Sequence, residues 1–140
     1  MTLLKELTTL VAGLTGLTVG QDLWGGYIEI YAPDRAAVVM AVGGDGSRPI
    51  LAGNVGEFPF QIVTRDNHPH DAHDLAVLIH GALADLPGAN LTDWFVHTCR
   101  VVTEPQELGY DDKQRFEWAA QYVVRAHEKA AAPWLTPGAS

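Results

Sequence analysis

Two apolar stripes at helical spacing limit what this chain can fold into. Leu3, Leu4, Leu7, Leu10, Val11 and Leu14 recur in steps of three, four and seven, and Leu75, Leu78, Ile79, Ala82, Leu83 and Leu86 do so again. Each series puts one apolar face on a helix. Between and after them lie segments rich in β-branched and aromatic residues, which suit strands. The order helix, strands, helix, strands predicts an α+β domain, a mostly antiparallel β-sheet with two helices packed on it. No repeat or linker interrupts that order. Residues 1–128 are therefore expected to form a single domain, with residues 129–140 as a flexible C-terminal tail.

At 140 residues and 47% hydrophobic, the chain is long enough for a real core and too apolar to stay disordered. No apolar run reaches the roughly 18 residues of a membrane span. The opening MTLLKELTTLVAGL carries an early acid and lacks the layout of a signal peptide. The expectation is a protein assembled in a cytoplasm, with no membrane partner.

The local signals are uneven. Thr2 is placed to cap the first helix, and Gly13 and Gly16 to end it. Residues 27–31 and 37–42 read as strands divided by Pro33-Asp34. Gly43, Gly44, Asp45 and Gly46 read as a turn; they lack the Lys-Ser/Thr that a phosphate-binding loop needs. Residues 50–57 look loop-like. Residues 58–65 read as a strand with Phe60, Ile62 and Thr64 on one face. The second helix is expected from Asp71, stopped by Pro87-Gly88. Residues 94–102 form another strand, ended by Glu104-Pro105, and ELGYDDKQ follows as a turn. RFEWAAQYVVRAHEK fits two patterns. As a strand it aligns Phe116, Trp118, Ala120, Tyr122 and Val124. As a helix capped by Asp112 it aligns Phe116, Ala119, Ala120 and Val123. Its aromatic and valine content favours the strand.

The stretch NHPHDAHDL, residues 67–75, raises the question of a metal. His68, His70 and His73 are suitable donors, and H-P-H-D-A-H resembles the HxHxDH motif of the metallo-β-lactamase superfamily. The aspartate sits one place early, and His80, His97 and His127 are scattered. The helix-start reading is better supported. Asn67 or Asp71 can cap free N–H groups, Pro69 suits the first turn, and Asp71 and Asp74 lie at the favourable end of the dipole.

The single cysteine, Cys99, excludes an internal disulfide and a CxxC knuckle. With His97 two residues away it is formally a dyad, but a small core residue is the simpler reading. Asp111 and Asp112 read as a solvated turn. Arg65, just after the third strand, is placed to pair with an acid of a neighbour or only to flank a loop. Trp24, Trp94, Trp118 and Trp134 are core or interface residues. Trp24 and Trp134 fall in loop-like regions suited to anchoring a partner. Seventeen acids against nine bases give a net charge of −8, which argues against grasping nucleic acid.

The order of segments resembles the tail terminator (tail completion) proteins of long-tailed bacteriophages, of the phage minor capsid protein type. APDRAAVVMAVGG matches Pro-Asp, an apolar strand and Gly-Gly. FQIVTRDNHPHDAHDLAVLIHGAL matches a strand ending in Arg65, a polar turn and a helix opening with Asp-Ala. EPQELGYDDKQRFEWAAQYVVRAH matches Pro, Leu-Gly, an acidic turn, Arg115 and a closing aromatic strand. With the first helix these stretches span most of residues 1–127. The chain departs from the pattern at Gln121, where relatives often have Asn, and at Tyr110-Asp111, where they often have Arg-Asp.

The resemblance implies a virion protein of the tail neck: a hexameric homo-oligomer that caps the tail tube, ends its growth and meets the head's connector proteins. It implies that the last segment is a strand. The partners expected are further copies of the chain, the major tail tube protein and head–tail connector proteins, with DNA passing through the ring without specific binding. An oligomer or partner interface is expected at Trp24, Arg65, Arg115, Trp118 and Trp134, with no catalytic residue, metal or cofactor. The alternatives are another head–tail joining protein, or a small metal-dependent hydrolase using His68, His70 and His73.

Overall fold

The computed structural model describes residues 2–26, 33–42, 55–84 and 86–129. The readings at residues 27–31, 43–46 and 50–54, and the tail with Trp134, lie outside them.

The first helix, α1, spans Leu3–Thr15. Thr2 caps it, its hydroxyl accepting the Lys5 N–H at 3.3 Å. Gly16 ends it in the left-handed region at φ 81°, its N–H bonded to the Ala12 carbonyl. Gly13, expected to help end the helix, lies inside it: a glycine within a helix is a tolerable cost of about 1 kcal/mol, not a stop. Leu3, Leu7 and Val11 are buried.

The strands are β1 (Leu23–Gly25), β2 (Ala36–Ala41), β3 (Gly56–Asp66), β4 (Ala89–Asn90), β5 (Trp94–Tyr110) and β6 (Phe116–Glu128). They form one six-stranded sheet in the order β1-β2-β3-β6-β5-β4. Among the described strands only β1 with β2 pairs in parallel. The middle of the sheet is β3 against β6, paired from Gly56 with Ala126 to Asp66 with Phe116. The ambiguous last segment is thus a strand. Phe60, Ile62 and Thr64 are all buried, as the alternation in β3 requires.

The second helix, α2, spans Pro69–Ala84, starting two residues before the expected Asp71. Pro69 takes the first helical position, where its missing N–H costs nothing. Ala72, Leu75, Ala76, Ile79 and Leu83 are buried. Leu78, assigned to the apolar stripe, is instead 44% exposed. The true stripe is rotated by one residue and takes in Ala72 and Ala76, whose small side chains let the helix approach the sheet.

Both helices cover one face, and the main core lies beneath them. It joins Leu7 and Val11 of α1, Leu75 and Ile79 of α2, and Phe60, Tyr122 and Val124 of the sheet. Phe60 and Tyr122 stack with centroids 5.4 Å apart. At Gly25 a Cβ would stand 2.6 Å from Thr8 Oγ1, so glycine is what lets β1 lie against α1. On the opposite face, Trp24, Ala36 and Val38 form a smaller cluster with Met40 and Val63 packed on it.

The largest departure from expectation is β5. It does not stop at Glu104-Pro105 but runs on to Tyr110, shortening the turn to 111–115. The pairing with β6 slips between Thr103 and Gln106, around Pro105. Proline is tolerated at such a bulge, and on an edge where its missing N–H faces no partner. No helix among the described residues is long and apolar enough to cross a membrane.

Candidate interface surfaces

The three stretches behind the family resemblance are far apart in sequence but converge at one corner of the sheet. Arg65, at the end of β3, donates from Nε to the Asp34 carbonyl at 3.3 Å and from Nη2 to the Pro33 carbonyl at 3.0 Å. The Asp34 carboxylate accepts from Asn67 Nδ2 at 2.7 Å and lies 3.7 Å from Arg115 Nη1. Arg115 is held in turn by Asp111 through Nε at 2.8 Å and Nη2 at 2.7 Å. Asp111 Oδ1 also accepts the backbone N–H groups of Lys113 and Arg115, each at 2.9 Å. This closes the β5–β6 turn around Gln114, which sits at φ 64°.

The electrostatics follow from burial. Loss of water, then the nearby Arg115 charge, lowers the Arg65 pKa; Asp111, Asp34 and Glu117 oppose this. Burial alone would raise Asp111, but the hydrogen bonds from Arg115 and Lys113 and the Arg115 charge outweigh it and hold its carboxyl below the usual range. Burial, then Asp111, raises Glu117. Arg65 and Arg115 therefore spend their donors inside the chain. Their direct task is to fasten the Pro33-Asp34 loop and the β5–β6 turn to the end of β3.

The histidine stretch begins α2. The His68 carbonyl accepts the Ala72 N–H at 3.0 Å, and the His68 N–H bonds to Asp66 Oδ1 at 3.3 Å. The capping expected of Asn67 or Asp71 is not what occurs: Asn67 turns to Asp34 and Asp66 takes the local donor. The His73 ring packs on Trp118 with centroids 4.7 Å apart. Among the described residues no three His, Cys, Asp or Glu side chains are grouped to hold a metal.

Cys99 and His97 do not form a dyad. A register slip between Val96 and Thr98 changes which face each side chain takes. Cys99 packs against the main core, and burial pushes its thiol up to about 11, the opposite of an activated nucleophile. His97 Nε2 lies 2.7 Å from His127 Nδ1, and both rings pack on Phe95. This pair is not legible in the sequence, since its two members come from adjacent strands whose register a single chain does not reveal.

The tryptophans separate. Trp24 belongs to β1, not to a loop, and at 7% exposure it offers a partner little surface. Trp94 meets Phe58 edge to face at 5.4 Å. Trp118 is half-buried beneath His73.

A surface that sequence reasoning missed is the outer edge of β5. The short β4 pairs with it only at Phe95 and Val96. Beyond those two, among the described residues, β5 has a strand on one side only. Val102, Leu108 and Tyr110 are 50%, 57% and 62% exposed on this stretch. The signal was the alternation continuing past Pro105, hidden by taking proline as a terminator. An open edge with apolar side chains suits pairing with another strand.

The comparisons with known proteins bear on this fold. A family model described as "Bacteriophage tail terminator protein" matches residues 10–127. No curated protein matches the sequence. Among solved structures, a chain from the virion of a native gene transfer agent particle has a similar fold. Its TM-score is 0.59 over 89% of this chain and 93% of that chain, at 15% identity. With most of its length in the family match, the chain belongs to the bacteriophage tail terminator family and is a structural component of the virion.

Proposed function

We propose that copies of this chain close into a ring, a hexamer, at the head-proximal end of a long phage tail. There the ring ends growth of the tube and presents a surface to the head's connector proteins. The observation that carries this reading is the open edge of β5, with Val102, Leu108 and Tyr110 exposed along it. The opposite edge is the three-residue β1. The two edges differ, so edge contacts between copies are head-to-tail, and head-to-tail contacts make rings when the rotation closes.

Discrimination between a tube subunit and a connector takes shape and edge complementarity, not a reactive group. The chemistry of the chain is consistent with that: the lone thiol is held protonated and the histidines at the start of α2 do not converge. A net charge of −8 repels DNA passing through the ring.

The test is the position of the chain in assembled particles, read by imaging purified virions, with mass measurement of the isolated protein beside it. Density for a ring of this fold between tail tube and head supports the reading. A chain missing from virions, or sited away from the tail's head-proximal end, rejects it.

A further inference from the structure

His97 and His127 come from adjacent strands, 30 residues apart in the chain, and turn a ring nitrogen toward each other, with His97 Nε2 2.7 Å from His127 Nδ1. We propose that this pair is a two-imidazole chelate for a divalent transition metal that takes ligands at right angles, Ni2+ or Cu2+.

The backbone builds the pair. Phe95 stands opposite His127 and Val96 opposite Ala126, but the next residue of β6, Arg125, is opposite Thr98. His97 is therefore the extra residue of a bulge, a device by which a strand re-aims a side chain. Ala126 is buried in the main core, so the alternation of β6 sends His127 to the face away from the helices. The bulge brings His97 to it there, with ring centroids 4.9 Å apart and an interplanar angle of 37°. Phe95 packs on both rings, at 4.9 and 5.7 Å, and limits their rotation. Both histidines are half-buried, so the pair remains open to a hydrated ion.

The chemistry and the spacing select the ion. A hydrogen bond between two imidazoles needs an acceptor, so at least one ring is neutral. When both are neutral, the bridging proton can move to the far nitrogen of its own ring. Two lone pairs then face one gap, and no proton is released. Metal–imidazole bonds are about 2.0–2.1 Å long. At right angles they set the two nitrogens about 2.9 Å apart, and at the tetrahedral angle about 3.3 Å. From 2.7 Å the pair opens by about 0.2 Å for the first and about 0.6 Å for the second, which favours Ni2+ or Cu2+ over tetrahedral Zn2+. The Arg125 charge acts on His97 and opposes any cation, so affinity comes from the chelate and not from the local field. A bound ion ties the start of β5 to the end of β6 across the bulge.

The inference does not depend on ring formation, and its test uses the isolated full-length chain. Ni2+ is titrated at neutral pH by calorimetry and by proton NMR of the imidazoles. The expected result is one equivalent bound, with the His97 and His127 signals broadened before those of His68, His70 and His73. His97→Gln and His127→Gln should each weaken binding about tenfold or more, because each removes a ligand held at high effective concentration. His68→Gln with His70→Gln should leave it unchanged, and Zn2+ should bind more weakly than Ni2+. Should a variant of the pair lose the fold, the order of broadening in the native chain still decides. Broadening that begins at the α2 histidines overturns the inference. So does Ni2+ binding indifferent to both variants of the pair, or Zn2+ binding tighter than Ni2+.

Discussion

Arg65 Nε donates to the backbone carbonyl of Asp34 at 3.3 Å across a separation of 31 residues. With a second bond from Nη2 to Pro33, this fork fastens the loop before β2 to the far end of β3. Arg65 is 9% exposed, so its loss removes two charge-assisted hydrogen bonds from a largely buried side chain, although Pro33 and Asp34, whose carbonyls it serves, are exposed. Arg65→Met is expected to destabilise the fold by about 1.5–3 kcal/mol, the range for hydrogen bonds to a charged group. Arg65→Lys should recover only part of that, because one ammonium cannot reproduce the planar fork. Urea denaturation at neutral pH measures both. Native-like stability in Arg65→Met would mean that the loop holds itself.

Asp111 makes the same corner sensitive to acid. Its folded pKa is held below the unfolded value of about 3.9, so the folded state favours the charged form. The sign follows from linkage. The contribution to stability is present in full above the unfolded value and disappears as pH falls through the depressed folded value. Asp111→Asn should therefore lower stability at neutral pH and flatten the decline on the acid side of pH 4, about where carboxylates titrate. Denaturation series from pH 7 to pH 2 check this. An acid limb identical in the two proteins would remove Asp111 from the account.

His97 and His127 predict a second pH effect at higher pH. Burial, then His127, then Arg125 lowers the His97 pKa from its ordinary 6.5. A depressed folded value again means stability that is present above the unfolded pKa and lost as pH falls through the folded one. The loss should begin near pH 6.5, well before carboxylates titrate. His127→Gln removes one of the charges and should move the His97 midpoint upward. Proton NMR titration of the imidazoles reads it directly. A His97 midpoint unmoved in that variant would leave burial and Arg125 as its causes.

How much of this was legible in the sequence depends on the range of the interaction. Thr2, Gly16 and Pro69 act within one turn of their helices, and local chemistry placed them. The apolar faces of β3 and β6 were readable because a period of two survives in FPFQIVTR and RFEWAAQYVV. Leu78 departs from its expected stripe because two stripes one residue apart differ only in whether alanines count as apolar. β5 runs past its expected end at Pro105, where a bulge on an open edge removes the usual objection to proline. The corner around Asp34 was half legible: its members were each singled out, but not that they meet. The His97–His127 pair, the Glu6–Asp93 bond and the His80–Tyr122 contact at 2.8 Å depend on register between distant segments. A single sequence carries no information on that.

The edge of β5 gives the most direct test of assembly. Val102 and Leu108 are half-exposed, so Val102→Lys with Leu108→Lys should leave the isolated fold within about 0.5 kcal/mol per site, as for ordinary surface changes. Lysine on an edge strand is a common barrier to strand addition: an incoming strand must desolvate the ammonium or bend it away. If copies join through this edge, the double variant should remain folded but fail to enter particles. Val77→Lys is the control. Val77 is similarly exposed at 48% but lies on α2, not on a strand. Sedimentation of the isolated variants and the protein content of particles made with them separate the outcomes. Normal incorporation of the double variant would move the joining surface off β5. Failure of the Val77 control as well would indicate that the helix face, with Leu78 exposed beside it, also meets a neighbour.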